Sequence, residues 1–347
     1  MRLRSLLFVP GDRPERFEKA VASGADAIIF DLEDSVVSAA KDKARECVGD
    51  FLARFGTAPL ALSSPRRGEG ARRANEGISP QTQSKPVPSS DPAGHLLPAG
   101  EKGKQVAAAA ASDSPALRQH PDCAVFVRVN PLESDDLEKD LGVLASGLPD
   151  GLVLPKAEGA ASVRALSVRV SKMAGAAVPI LPIATEAPAA IFQLGTYAQV
   201  GPEICGLTWG AEDLPAAIGA LSAREADGGY TDPYRMVRSL ALFAAHAAGV
   251  AAIETVYPDI RDLSGLEAYA RRGRRDGFTG MLAIHPAQVE VINRAFTPNE
   301  EEIARAERII AAFAANPEAG AIQLDGRMLD RPHLKLALAV TEAARGF

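Results

Sequence analysis

Eight short runs along this 347-residue chain gather the residues able to do chemistry. They are Pro10-Gly11-Asp12-Arg13, Asp31-Leu32-Glu33-Asp34, Arg128-Val129-Asn130, Pro155-Lys156-Ala157-Glu158, Thr185-Glu186, Gly210-Ala211-Glu212-Asp213, Tyr257-Pro258-Asp259 and His285-Pro286. Each follows a brief apolar stretch, so each lies at the edge of a core. Ionisable groups there are costly unless they pair, bind a metal or meet a ligand. The five histidines (95, 120, 246, 285 and 333) form no HxxxH pair, and the three cysteines (47, 123 and 205) show no CxxC spacing. A metal in this chain would therefore be held by oxygen, which suits Mg²⁺, or Mn²⁺, better than zinc. Glu186 and Asp213 follow consecutive apolar stretches and are candidates for such an ion, two carboxylates leaving open positions for substrate oxygens. From spacing alone a local role is the stronger reading, Asp213 as the N-cap ahead of Leu214-Pro215 and Glu186 as a first-turn acid. Arg128 suits either a fork onto a substrate carboxylate or a pair with a rim acid, and the cluster Asp31, Glu33 and Asp34 is placed to orient it. His285 reads as a rim histidine or a catalytic one. Arg13 and Lys19, near Phe8, are cations that could receive phosphates or simply cover a helix start.

The elements that must position these groups alternate. Ser5–Val9, Ala27–Asp31, Ala124–Val129, Gly151–Leu154, Val178–Ile183, Gly206–Trp209, Ala252–Val256 and Met281–Ile284 are short apolar runs of the kind found in buried parallel strands. Helical patterns such as Pro14–Ser23, Val36–Arg54, Ser162–Ala174, Pro233–Ala248 and Leu263–Arg275 lie between them. Eight β-then-α units without a GxGxxG motif predict an α/β fold of the (β/α)₈ TIM-barrel type, with an open doubly wound sheet as the runner-up. In such a barrel the strand ends form one mouth, which brings the eight runs together. The barrel is expected over 1–296. A tail over 297–347 follows, with a helix Asn299–Ala315, a hairpin-like Gly320–Gly326 and a last helix from about Pro332 to Ala344, a C-terminal helical extension that could serve as a lid.

Residues 63–104 do not fit the barrel pattern. They hold six Ser, six Pro and six Gly in 42 residues, and only Ile78, Val87, Leu96 and Leu97 as large aliphatics. So little apolar surface does not offset an ordering entropy of about 1–2 kcal/mol per residue, so a disordered insertion is expected there. The 38 Lys and Arg against 44 Asp and Glu give a formal charge of −6, which argues against a nucleic-acid partner. No apolar run of about 18 residues predicts a membrane span. The short apolar stretch Leu6–Val9 makes a poor secretory signal, so a cytoplasmic protein is expected.

Several runs together resemble one known family. Arg4–Pro14 (RSLLFVPGDRP) and Ala25–Val36 (ADAIIFDLEDSV) are similar to the opening of the HpcH/HpaI aldolase and citrate lyase β-subunit family. Val127–Pro131, Leu154–Glu158, Gly210–Leu214, Gly277–Pro286 and Leu324–Asp330 (LDGRMLD) match in the same order. The resemblance implies a Mg²⁺-dependent carbon–carbon lyase acting by retro-aldol chemistry. Its substrate would be a 3-hydroxyacyl thioester, of the malyl-CoA, citramalyl-CoA or citryl kind, giving acetyl-CoA and a keto acid. Glu186 and Asp213 would be the metal ligands and Arg128 the clamp on the keto-acid part. Phe8, Arg13 and Lys19 would line the nucleotide end of CoA, with Glu212, Ile284 and His285 nearby. Asp330 matches the family's catalytic aspartate, carried on a tail that caps a neighbouring subunit, which implies a homo-oligomer, a trimer or hexamer. Two alternatives remain: an accessory subunit that binds an acyl-carrier thioester, and a hydrolase of the same thioester.

Overall fold

The computed structural model describes residues 1–55, 123–226 and 228–345, so the 63–104 insertion lies outside the described residues. Eight strands are β1 (Ser5–Pro10), β2 (Ala27–Asp31), β3 (Ala124–Arg128), β4 (Gly151–Leu154), β5 (Ile180–Pro182), β6 (Gly206–Thr208), β7 (Ala251–Glu254) and β8 (Gly280–Ala283). The helices are α1 (Phe17–Val21), α2 (Lys41–Phe55), α3 (Leu137–Leu141), α4 (Ala160–Ala174), α5 (Pro188–Ile191), α6 (Asp213–Ile218), α7 (Asp232–Ala248), α8 (Leu263–Asp276) and α9 (Pro286–Phe296). All strand pairs in the sheet are parallel, neighbours follow chain order, and β1 pairs with both β2 and β8. That rules out the open doubly wound sheet and gives a (β/α)₈ barrel. The seam between β5 and β6 carries isolated bridges, Ile180 to Ile204 and Ile183 to Thr208, where the other neighbours have continuous ladders.

Strand residues alternate between two apolar layers, as a barrel requires. Leu6, Ala27, Ile29, Ala124, Phe126, Val153, Leu181, Ile253 and Leu282 fill the interior. Leu7, Ile28, Phe30, Val127, Leu152 and Leu207 face the helices. This two-sided burial is why the strands read as continuous apolar runs. Gly151 has to be glycine, since a Cβ there would sit 2.2 Å from the Phe126 ring. Helix boundaries follow local chemistry: Asp262 accepts from the Gly265 N–H at the start of α8, and Gly249 and Gly277 end α7 and α8 in the left-handed region. Two helices begin later than their sequence pattern, with 3-10 turns at Pro14–Arg16 and Ser38–Ala40 preceding α1 and α2.

The tail consists of α10 (Glu300–Ala314), a hairpin of β9 (Ala321–Leu324) and β10 (Arg327–Asp330), and α11 (Arg331–Arg345). Asn299 and Glu302 form a capping box on α10. Asp325 and Gly326, both at positive φ (51° and 74°), make the two-residue turn that hairpins favour. The tail has its own small core of Ala306, Ile309, Phe313, Leu329 and Ala337. Its ties to the barrel include Arg274 to Glu302 (3.0 Å) and Arg4 to Thr297 (2.8 Å), both near the N-terminal ends of the strands. Among the described residues no helix is long and apolar enough to cross a membrane.

Candidate active site

Glu186 stands past the end of β5 and is 6% exposed. It precedes Ala187, the N-cap of α5, so it is not a first-turn acid. Its carboxylate Oε2 accepts a short hydrogen bond from the Lys156 N–H. That N–H is aimed by Lys156's unusual left-handed backbone, φ 51°, at the end of β4. Asp213 is the first residue of α6, preceded by Glu212 at the cap position, and makes no hydrogen bond or ion pair with the described residues. Burial pushes Glu186 up to about 8; the Lys156 N–H opposes this, and the nearby charges of Glu33 and Asp213 add to it. Both acids are therefore short of positive charge at the mouth.

The cationic side of the mouth is tightly built. Arg128, ending β3, donates from Nε to Asp31 Oδ1 and from Nη2 to Asp31 Oδ2, each at 2.7 Å. Its Nη1 lies 2.8 Å from Glu33 Oε2, and its guanidinium packs 4.9 Å from the centroid of the Phe8 ring. Burial disfavours charge on Asp31, yet the Arg128 fork together with Ser35 and Glu33 holds its carboxyl below the ordinary range. Glu33 shifts upward, driven by burial against the pull of Arg128 and Lys156. Lys156 Nζ closes the chain, 2.7 Å from Glu33 Oε1. The order Asp31, Arg128, Glu33, Lys156 alternates in sign, Asp34 lies 3.9 Å from both cations, and Glu186 and Asp213 stand outside these ion pairs.

The other expected site residues are more scattered. Phe8 is half-buried and serves as a platform for Arg128. Arg13 and Lys19 are exposed, Arg13 lying 3.8 Å from Asp12. Glu212 is exposed at the start of α6, and Ile284 is partly exposed, its N–H given to Gln288 Oε1 at 2.9 Å. His285 caps α9, its Nδ1 accepting from the Ala287 N–H at 3.2 Å. Asp330 stands apart on the tail, its carboxylate 2.5 Å from His333 Nδ1. Lys156 belongs to the Pro155–Glu158 run after β4, where its position signals the rim but not its contacts to Glu186 and Glu33.

Comparison with known proteins places this geometry in context. The family model described as HpcH/HpaI aldolase/citrate lyase matches residues 4–63 and 98–286. The chain belongs to the HpcH/HpaI aldolase/citrate lyase family. A citrate lyase subunit beta-like protein of Mycobacterium tuberculosis is 33% identical over 328 residues, 94% of this chain and 90% of that one. Citramalyl-CoA lyase, mitochondrial, of Mus musculus is 34% identical over 63% of this chain and 68% of its own. A (3S)-malyl-CoA thioesterase of Cereibacter sphaeroides is 29% identical, covering 99% and 96%. The crystal structure of CitE from Mycobacterium tuberculosis in complex with magnesium, acetoacetate and coenzyme A has a TM-score of 0.68 and 31% identity, covering 99% of this chain and 98% of that one. The protein is thus an enzyme of a lyase family with solved magnesium-bound members. Glu186 and Asp213 would suit such an ion, since Mg²⁺ takes one or two carboxylates while keeping waters. Among the described residues no group of three or more His, Cys, Asp or Glu side chains is arranged around a metal position, unlike an all-protein zinc or calcium cage.

Proposed function

We propose that this enzyme is a Mg²⁺-dependent carbon–carbon lyase that cleaves a 3-hydroxyacyl-CoA of the malyl-CoA, citramalyl-CoA or citryl type to acetyl-CoA and a keto acid. The observation that carries the reading is Glu186, buried with one backbone donor and with Asp213 as an unpaired neighbour. Glu186 and Asp213 would hold the ion. When bound, Mg²⁺ supplies a Lewis acid for the hydroxyl and carboxylate oxygens of the acyl group.

Arg128 gives Nε and one Nη2 hydrogen to Asp31, and its second Nη2 hydrogen together with Nη1 would fork onto the keto-acid carboxylate. Asp31 holds that fork in place, so little reorganisation is needed as the new carbonyl forms. The bond between the carbinol carbon and the α-carbon of the thioester breaks. The hydroxyl proton would pass to the Asp330 carboxylate, the electron pair stays on the α-carbon as an enolate, and Asp330 would return that proton to the α-carbon. Asp330 pairs with His333 and sits on a tail tied near the opposite end of the strands, which favours its service to the mouth of a second copy, in a homotrimer or hexamer. Arg13 and Lys19, exposed beyond β1, would receive the phosphates of CoA, with Phe8, Glu212, Ile284 and His285 around the acyl arm.

The test is incubation of the purified protein with malyl-CoA or citramalyl-CoA, with Mg²⁺ and with EDTA. Release of acetyl-CoA and a keto acid, abolished by chelation and restored by Mg²⁺, is expected. Free CoA with an intact hydroxy acid would support the hydrolase reading, which the thioesterase relative favours. Activity only with a carrier-protein thioester and a partner subunit would support the accessory-subunit reading. No product from any of these thioesters, with folded protein, would sink the proposal.

A further inference from the structure

The two candidate ligands belong to strands that meet at the weakest pairing in the barrel. β5 and β6 are joined by isolated bridges and by the backbone bonds Cys205 N–H to Ile180 O and Ala184 N–H to Thr208 O, both 3.0 Å. Beyond Thr208 the backbone ladder stops, and a side chain replaces it. The Thr185 hydroxyl accepts from the Gly210 N–H at 3.0 Å and donates to the Gly210 carbonyl at 3.1 Å. Thr185 is fully buried, so this staple is shielded from competing water. It binds the residue before Glu186 to the residue three positions before Asp213.

Gly210 also shapes Glu186 directly. A Cβ at position 210 would lie 2.6 Å from Glu186 Cγ and 3.4 Å from its Cδ, so the glutamate stem lies flat against the bare glycine backbone. Glu186 is then bounded on the β6 side by Gly210 and on the β4 side by the Lys156 N–H.

We propose that the Thr185–Gly210 staple is a positioning device that sets the separation of Glu186 and Asp213 and fixes the Glu186 side chain for metal binding. The inference rests on the reading that these two carboxylates hold the ion. Thr185→Val keeps the side-chain shape and removes both hydrogen bonds. Binding of Mn²⁺ alone, followed by electron paramagnetic resonance, is expected to weaken by about 10- to 100-fold, the usual cost of losing a group that orients a metal ligand. Thr185→Ser, which keeps the hydroxyl, restores affinity. A purely structural role would lower thermal stability in Thr185→Val and leave the Mn²⁺ dissociation constant unchanged, which overturns the proposal. Should Thr185→Val not fold, Thr185→Ala serves instead: it also removes the hydroxyl and both of its hydrogen bonds, and must also weaken Mn²⁺ binding. An unchanged constant there overturns the proposal as well. Failure of the underlying reading looks different: Glu186→Gln would then bind Mn²⁺ as tightly as the wild-type enzyme.

Discussion

Two buried glutamates on neighbouring parts of the same sheet are treated in opposite ways. Glu254, ending β7, is completely buried and faces the helical layer. Its Oε1 accepts from Trp209 Nε1 (2.6 Å), the Tyr269 hydroxyl (2.9 Å) and the Thr255 N–H (3.0 Å), and its Oε2 accepts from Arg238 Nε (2.7 Å). Arg238 in turn reaches Asp276 at 2.8 Å. Glu186 is nearly as buried and has one backbone donor and an acidic neighbour. Burial therefore does not mark the site. The shortage of donors does, because a buried carboxylate without partners is unfavourable until something positive arrives.

Exchanging the partners of each glutamate tests this contrast. The largest effect is expected from Glu186→Gln, which should abolish Mg²⁺-dependent turnover, beyond the roughly 100-fold losses typical of outer groups around a metal, while leaving the barrel folded. Circular dichroism and a Mn²⁺ titration check both parts. Asp330→Asn should slow cleavage by about 10²–10⁴-fold with Mn²⁺ affinity unchanged, since it removes a proton donor and no metal ligand. Mixing this variant with Arg128→Ala, if subunits exchange, would restore activity when the tail works across a subunit boundary.

Glu254→Leu should do the reverse of Glu186→Gln. It strands Arg238 in the interior and should lower unfolding free energy by about 3–5 kcal/mol, read from urea midpoints. Whatever remains folded should keep its Mn²⁺ affinity. The last effect concerns pH. Burial raises Glu186 from 4.5 to about 8, so between those values the native state holds a proton that the unfolded chain has released. Metal-free stability should thus fall as pH rises through that window and level off above it, relative to Glu186→Gln. Urea midpoints in EDTA at several pH values would show the gap opening, and Mg²⁺ should close it. A gap independent of pH would mean that Glu186 is satisfied as an anion, like Glu254.

Much of this architecture is legible locally. The strands appear as apolar runs because both of their faces are covered, and the tail hairpin is announced by Asp325-Gly326, the pair able to take two positive φ angles. The rim residues Arg128, Glu186 and Asp213 are readable for the same reason: in a barrel they must follow the strands. His285 illustrates the limit. Its position after β8 is plain in the sequence, but its Nδ1 engagement as a helix cap is not.

The sequence by itself determined the number and order of the units, the family motifs and the identity of the acids at the rim, because these depend on residue type and short-range spacing. Only the tertiary structure decided which acids are compensated. Lys156 reaches Glu186 and Glu33, Arg128 forks onto Asp31, and Thr185 staples Gly210. Each of these contacts joins the ends of different strands, through register and closure of the sheet, and a donor's partner is fixed by distance in space rather than by its neighbours in sequence.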